Sequence, residues 1–217
     1  MRIEMRWAAA GLLGLLPLAA DAKPIAFAKG TTVMLEYGAG TMNEAQLFYA
    51  PRYWYSLGGG WLELQSEDGA KQRHIAYARA NLLAKRWNLP RAQANVFVWG
   101  GLGSATGNDF AGATLVRNIG VQADYETRRV YSAFRSDLQE SDRFSHRIDT
   151  VQLGWAPYKH DYNTLATWLV VQGRRYTGDL YRGTETALLV RFFKGGIWVE
   201  VGATTDGKLQ AMAMFNF

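Results

Sequence analysis

The amino-acid sequence predicts an all-β fold of about twelve antiparallel strands, with ten or fourteen as alternatives, closed into an up-and-down transmembrane barrel. Three observations carry this. Beyond Ala28 polarity alternates with a period of two, the period of a strand with unlike faces, and the 3.6-residue period of a helix is almost absent. Bulky aromatic residues crowd near every second connection. The alternation also runs to the last residue: in LQAMAMFNF, Leu209, Ala211, Ala213, Phe215 and Phe217 make an apolar row against Gln210, Met212, Met214 and Asn216. Chain ends are ordinarily polar and loosely held, so this terminus is expected to be a paired strand.

The N-terminal segment is of another kind. MRIEMRWAAAGLLGLLPLAADA places Arg2 and Arg6 before an apolar run that ends at the small-residue site Ala20-Asp21-Ala22. This is the plan of a secretory signal peptide, residues 1–22, with cleavage after Ala28 as the alternative site. The run falls short of the roughly 20 apolar residues a helical span needs. Residues 23–217 form the expected barrel domain.

In order, the expected strands are Thr31–Gly40, Glu44–Ser56, Gly60–Ser66, Gln72–Lys85, Ala92–Gly103, Ala111–Glu126, Arg129–Leu138, His146–Pro157, Thr164–Tyr176, Thr184–Phe193, Ile197–Thr204 and Leu209–Phe217. The first shows the pattern well, with Val33, Leu35 and Tyr37 against Met34, Glu36 and Gly38. The eleventh repeats it, with Ile197, Val199 and Val201 against Trp198, Glu200 and Gly202. The fourth contains RHIAYARANLLAKRW, whose alanines and leucines favour helix by propensity. It is assigned to strand because Ala76, Ala78, Ala80 and Leu82 still alternate with Tyr77, Arg79 and Asn81, in agreement with its neighbours. Pro51 inside the second strand requires a bulge, an edge or a strand start. GGG and KGG read as hairpin turns.

One set of connections is polar and free of tryptophan; the other has Tyr53, Tyr55, Trp61, Trp87, Tyr125, Tyr131, Trp155, Tyr158 and Trp198 nearby. Aromatic residues gathered at one level suit a water–lipid boundary, where the ring is buried and its polar edge stays wet. A tilted strand crosses a bilayer with about 9–11 residues. Within lipid every backbone polar group must find a partner, so a spanning sheet has to close. Arg117, on the row of Leu115, Ile119 and Val121, is expected near the outer interface, since an arginine at the midplane costs about 2–4 kcal/mol.

Composition agrees with a folded chain: 48% apolar and 20% charged residues over 217 positions, which excludes disorder. With no cysteine, disulfides, thiol catalysis and cysteine metal sites are excluded. Residues 1–22 carry two charges of each sign, so their removal leaves the net charge at +5. That excess is spread along the chain, without the basic run of a nucleic-acid binder.

In these features the chain resembles bacterial outer-membrane β-barrel proteins. The signal peptide, the alternating strands and the final LQAMAMFNF carry the resemblance. It spans the whole mature chain and identifies a class without a subfamily. It implies a Gram-negative outer-membrane location among outer-membrane lipids. Phe215 and Phe217 would then act as the terminal signal presented to the barrel-assembly machinery.

Polarity places Glu36, Arg52, Glu63, Arg79, Lys85, Asp124, Arg135, Arg174, Arg191 and Glu200 on inward rows, with Tyr77, Asn81, Asn118, Gln122 and Trp198. Such a lumen is either a network of paired charges or a narrow porin-like passage favouring small anionic solutes. A monomer with one of these passive roles is expected, with no cofactor, no metal site and no nucleic-acid partner. His74 and His146, with Ser66, Asp68, Ser145 and Asp149 in sequence reach, are weak candidates for a lipid-modifying hydrolase, but neither lies in a catalytic motif. The balance of features is against an enzyme. A secreted soluble ligand-binding barrel would require the opposite polarity, oily inside and polar outside.

Overall fold

The computed structural model describes residues 29–160 and 164–217. The expected signal peptide therefore lies outside the described residues. Twelve strands follow in order: β1 (Gly30–Gly38), β2 (Met42–Arg52), β3 (Tyr55–Gln65), β4 (Gln72–Leu89), β5 (Ala92–Gly107), β6 (Thr114–Thr127), β7 (Val130–Glu140), β8 (Ser145–Trp155), β9 (Ala166–Gly178), β10 (Gly183–Lys194), β11 (Ile197–Thr204) and β12 (Leu209–Asn216). Each pairs antiparallel with its neighbours in sequence, and β1 closes the ring against β12, with Leu35 opposite Ala213. The final residue is tied in: Thr31 N–H donates to the Phe217 carbonyl at 2.7 Å, and Phe217 N–H returns the bond at 2.9 Å.

Antiparallel order puts the β2–β3, β4–β5, β6–β7, β8–β9 and β10–β11 connections at the rim where β1 begins and β12 ends, here the terminal rim. The remaining six lie at the opposite, distal rim. RHIAYARANLLAKRW lies within β4, which is paired on both sides, so two hydrogen-bonded ladders override the helical propensity of its alanines. The β2–β3 register shifts between Tyr49 and Arg52, which gives Pro51 the bulge it needs.

The GGG turn is a correction. Gly58–Gly60 lies inside β3, and the hairpin turns earlier, at residues 53–54. Gly58 and Gly60 serve the packing of rings, while Gly59 lies against the Tyr77 backbone. A Cβ on Gly58 would lie 2.6 Å from Phe48 Cδ1, and one on Gly60 2.6 Å from the Tyr77 hydroxyl. Gly120 does the same for Trp99, whose indole occupies the space a Cβ would need. Gly120→Val is therefore expected to cost about 1–3 kcal/mol by overpacking. The measurement is the urea midpoint of the folded barrel, and an unchanged midpoint would show that Trp99 can move aside.

The wall is inverted relative to a water-soluble barrel. Leu47, Leu57, Leu102, Leu153 and Leu188 stand on the outside, more than half exposed, whereas Arg79, Arg174, Arg191 and Glu200 are buried within. Around the terminal rim Tyr49, Tyr53, Trp54, Trp87, Tyr125, Trp155, Phe215 and Phe217 are exposed on the outer wall. Three expected belt residues differ: Tyr131 and Trp198 are buried inside, and Trp61 sits in the distal half of β3 opposite Ala76.

Candidate functional site

The interior of the barrel is built in layers. At the distal mouth Met42, Leu62, Leu64, Ile75 and Val116 point inward, and Phe110, Phe144 and Leu180 from the connections pack onto them. Arg73 of β4 lies against this apolar lid with its guanidinium 4.3 Å from the Phe144 ring. It donates from Nε to Asp109 Oδ2 at 3.0 Å, and from Nη1 and Nη2 to the Asp179 carboxylate at 3.0 and 2.8 Å. A further ion pair joins Nη2 to Asp109. Asp109 and Asp179 belong to the β5–β6 and β9–β10 connections, so one buried cation fastens two loops across the mouth. Hydrogen bonds from Arg73 hold the Asp179 carboxyl below the usual carboxylate range, against the opposing effect of partial burial.

Two polar networks fill the middle. One centres on Asp137 of β7, which accepts from Asn118 Nδ2 at 2.6 Å, Trp99 Nε1 at 3.1 Å, Arg135 Nη2 at 3.2 Å, Gln139 Nε2 at 3.3 Å and Arg79 Nη1 at 3.4 Å. Beside it the Tyr77 hydroxyl donates to Glu44 at 2.5 Å. The other network starts from the ion pair between Arg174 and Glu36. It passes through Tyr176, Glu185, Gln210, Gln172 and Gln152 to Arg191, which donates to Glu200 Oε1 at 3.0 Å. The Arg191 guanidinium lies 4.2 Å from the Trp198 ring and 4.4 Å from that of Tyr131. Nearer the terminal rim Arg86 donates to Asn95, and Asn95 to Asp124, each at 2.7 Å.

Within this filling lies a central cavity of about 140 Å³, and distal to it a smaller one of about 30 Å³. Glu36, Arg135, Thr150 and Arg174 line both, and so form the partition between them.

The expected lumen residues divide. Glu36, Arg79, Arg135, Arg174, Arg191 and Glu200 line the central cavity, and Asp124 is buried toward the terminal rim. Arg52, Glu63 and Lys85 do not reach the lumen. Register slips by one residue between Leu83 and Lys85, so Lys85 faces out beside Trp87, and Arg86 takes its place inside. The bulge at Pro51 sets Arg52 opposite Tyr55, which shares the outer face with Leu82. Glu63 alternates with Leu62 and Leu64 of the apolar lid, so it points outward.

Sequence reasoning misses Arg73, Glu44, Asp137 and Glu185. Arg73, Asp137 and Glu185 each stand on the same row as a residue it does place, Asp137 two positions from Arg135, Arg73 six from Arg79 and Glu185 six from Arg191, so strand parity alone could have found them; Glu44 has no correctly placed lumen residue on β2 beside it. Inward charges on the strands are then nearly matched: Arg73, Arg79, Arg86, Arg135, Arg174 and Arg191 against Glu36, Glu44, Asp124, Glu126, Asp137, Glu185 and Glu200.

The two candidate histidines lie on opposite faces of the wall. His74 faces outward and stacks on Trp61 with 5.6 Å between ring centres, opposite Glu63 and Thr106. His146 is buried inside, and neither ring nitrogen has a hydrogen-bond partner. Ser66 donates to Asp68 within a turn, and Asp149 pairs with Arg147, so neither histidine is assembled with its sequence neighbours into a nucleophile–base pair.

No family model matches the chain, and no curated protein matches it. Among solved structures it is similar to a chain from work reported as "Unveiling the Mechanism Behind the in-meso Crystallization of Membrane Proteins", at 14% identity and a TM-score of 0.41 over 87% of this chain and 83% of that one. By its own strand pairing, the protein is a closed, twelve-stranded antiparallel β-barrel.

Proposed function

We propose that the protein is an integral outer-membrane barrel acting as a narrow channel with a charged lumen, shut at its distal mouth by the Arg73 clasp. The observation that carries this reading is the inverted wall, with leucines outside and ion pairs inside. In water that arrangement exposes apolar surface that prefers burial, at about 25 cal/mol per Å². In hydrocarbon the same surface is matched to its solvent, and the closed sheet leaves no backbone group unpaired. A soluble ligand-binding barrel has the reverse polarity.

For the channel, the support is a polar lumen running from the terminal half to the clasp, interrupted by the Glu36–Arg135–Arg174 partition. Single-channel recording of the folded protein in a planar bilayer tests it. Rare, small unitary steps are expected from the native chain at neutral pH. Silence from the native chain and from every clasp variant would leave a purely structural envelope barrel.

The membrane assignment has its own test. Leu188 is 66% exposed near the middle of β10. Leu188→Arg is expected to destabilise the barrel in lipid vesicles by about 2–4 kcal/mol, measured from its reversible unfolding in urea. In a water-soluble barrel the same exposed substitution would be close to neutral. A neutral result would thus remove the bilayer from the account.

A further inference from the structure

The central cavity has a polarity that a passive passage does not require. Its charged lining is four arginines, Arg79, Arg135, Arg174 and Arg191, against two glutamates, Glu36 and Glu200. The carboxylates of Glu44, Asp137 and Glu185 that balance the lumen as a whole are not part of that lining. The four cations also differ in how far their partners enclose them. The side chains of Arg79, Arg174 and Arg191 are 6, 7 and 2% exposed, whereas Arg135 keeps 27%, its nearest carboxylates being Asp137 at 3.2 Å and Glu44 at 4.0 Å.

Three further polar atoms in this lining, Gln46 Nε2, Arg79 Nε and Arg174 Nε, are buried without a protein partner. All three are N–H donors, so each calls for an acceptor. The rest of the lining mixes neutral polar side chains, among them Gln152, Gln172 and Gln210, with apolar and aromatic ones, notably Phe48, Tyr131, Leu189, Trp198, Met212 and Met214. A cavity that offers cationic and N–H donors together with apolar and aromatic wall suits a small molecule with an acceptor-rich head and an apolar body. Arginine's planar fork favours a carboxylate for that head.

We infer that the central cavity binds an organic carboxylate with an apolar, ring-sized body, its carboxylate against Arg135 and its body against Phe48, Trp198 and the methionines. This deepens the channel reading and rests on it for the ligand's role as the solute carried.

Titration calorimetry of the folded barrel in detergent tests the site, with 2-naphthoate as the probe. Its neutral isostere 2-naphthylmethanol and bare acetate serve as comparators. One saturable 2-naphthoate site per barrel is expected, with both comparators at least tenfold weaker. Arg135→Gln is expected to weaken 2-naphthoate tenfold or more and leave the alcohol unchanged, while Arg135→Lys keeps most of the affinity. Ala133→Phe fills the cavity beside Arg135 without altering charge and is expected to abolish binding of both; heat-modifiable gel mobility confirms that each variant is folded. Equal affinity for the acid and the alcohol, equal affinity in Arg135→Gln and the native protein, or no saturable binding would each overturn the inference. Conduction is not needed for the titration. Binding by a barrel that never conducts would uphold the site and discard the channel, and conduction without binding would do the opposite.

Discussion

Replacing Arg73 with alanine is expected to raise the open probability of the barrel in a planar bilayer on the order of a hundredfold at neutral pH. Arg73 is 2% exposed, and its loss leaves the Asp109 carboxylate buried without its cation. Breaking a buried pair from one side costs about 3–5 kcal/mol. The lower end applies because the Asp179 side chain is 54% exposed and its share is screened by solvent. About 3 kcal/mol taken from the closed state moves the equilibrium roughly a hundredfold. Phe110, Phe144 and Leu180 keep their mutual contacts, so the lid is loosened while the barrel wall stays closed.

The pH dependence of the same clasp has a definite sign. Because Arg73 holds the Asp179 carboxyl below its ordinary value, the pairing is complete above the unfolded value of about 3.9 and is lost as pH falls through the folded one. Native conductance is therefore expected to be flat between about pH 5 and 8 and to rise only below about pH 4. Arg73→Ala should show no such rise. A native channel that opened on passing from pH 8 to 5 would place control elsewhere in the lumen.

Removing Asp137 is expected to have the largest effect on stability. Its carboxylate accepts from five side chains, two of them arginines, and it is 8% exposed. Asp137→Ala removes the carboxylate that pairs with both Arg79 and Arg135 and leaves Arg135 only the longer contact to Glu44 at 4.0 Å. It is expected to lower the unfolding free energy by about 3–5 kcal/mol. Asp137→Asn is expected to lose about half as much, since its amide oxygen can still accept. Urea titration in vesicles, read by gel mobility without boiling, gives both values. A loss below about 1 kcal/mol for Asp137→Ala would mean that water already shares the solvation of those arginines.

Much of the wall was legible in the sequence because strand periodicity is local. Alternation placed all twelve strands and assigned Arg79, Arg174, Arg191 and Glu200 to the inner face without any knowledge of neighbours. It failed where that local rule is broken or its meaning changes. Lys85 and Arg52 each follow an inserted residue, and one extra residue exchanges the two faces of a strand. Glu63 fails for another reason. At the distal mouth the inside becomes an apolar lid and the outside a polar rim, so "charged means inward" reverses there. The glycines of β3 look like a turn in sequence, and only the close approach of neighbouring backbone and of the Phe48 and Tyr77 rings explains their place in a strand.

Taken alone, the sequence determined the fold class and the sense of the wall and put the strand number at about twelve, because the pleat forces every second side chain to the same face; the closed pairing settled it at twelve. The tertiary structure alone decided which charges meet. Arg174 reaches Glu36 across 138 positions of sequence, and Arg73 reaches Asp179 across 106. The closure of the ring and the two bulges set the stagger that brings them together. Contacts of that kind depend on the relative register of distant strands, which no periodicity within one strand can encode.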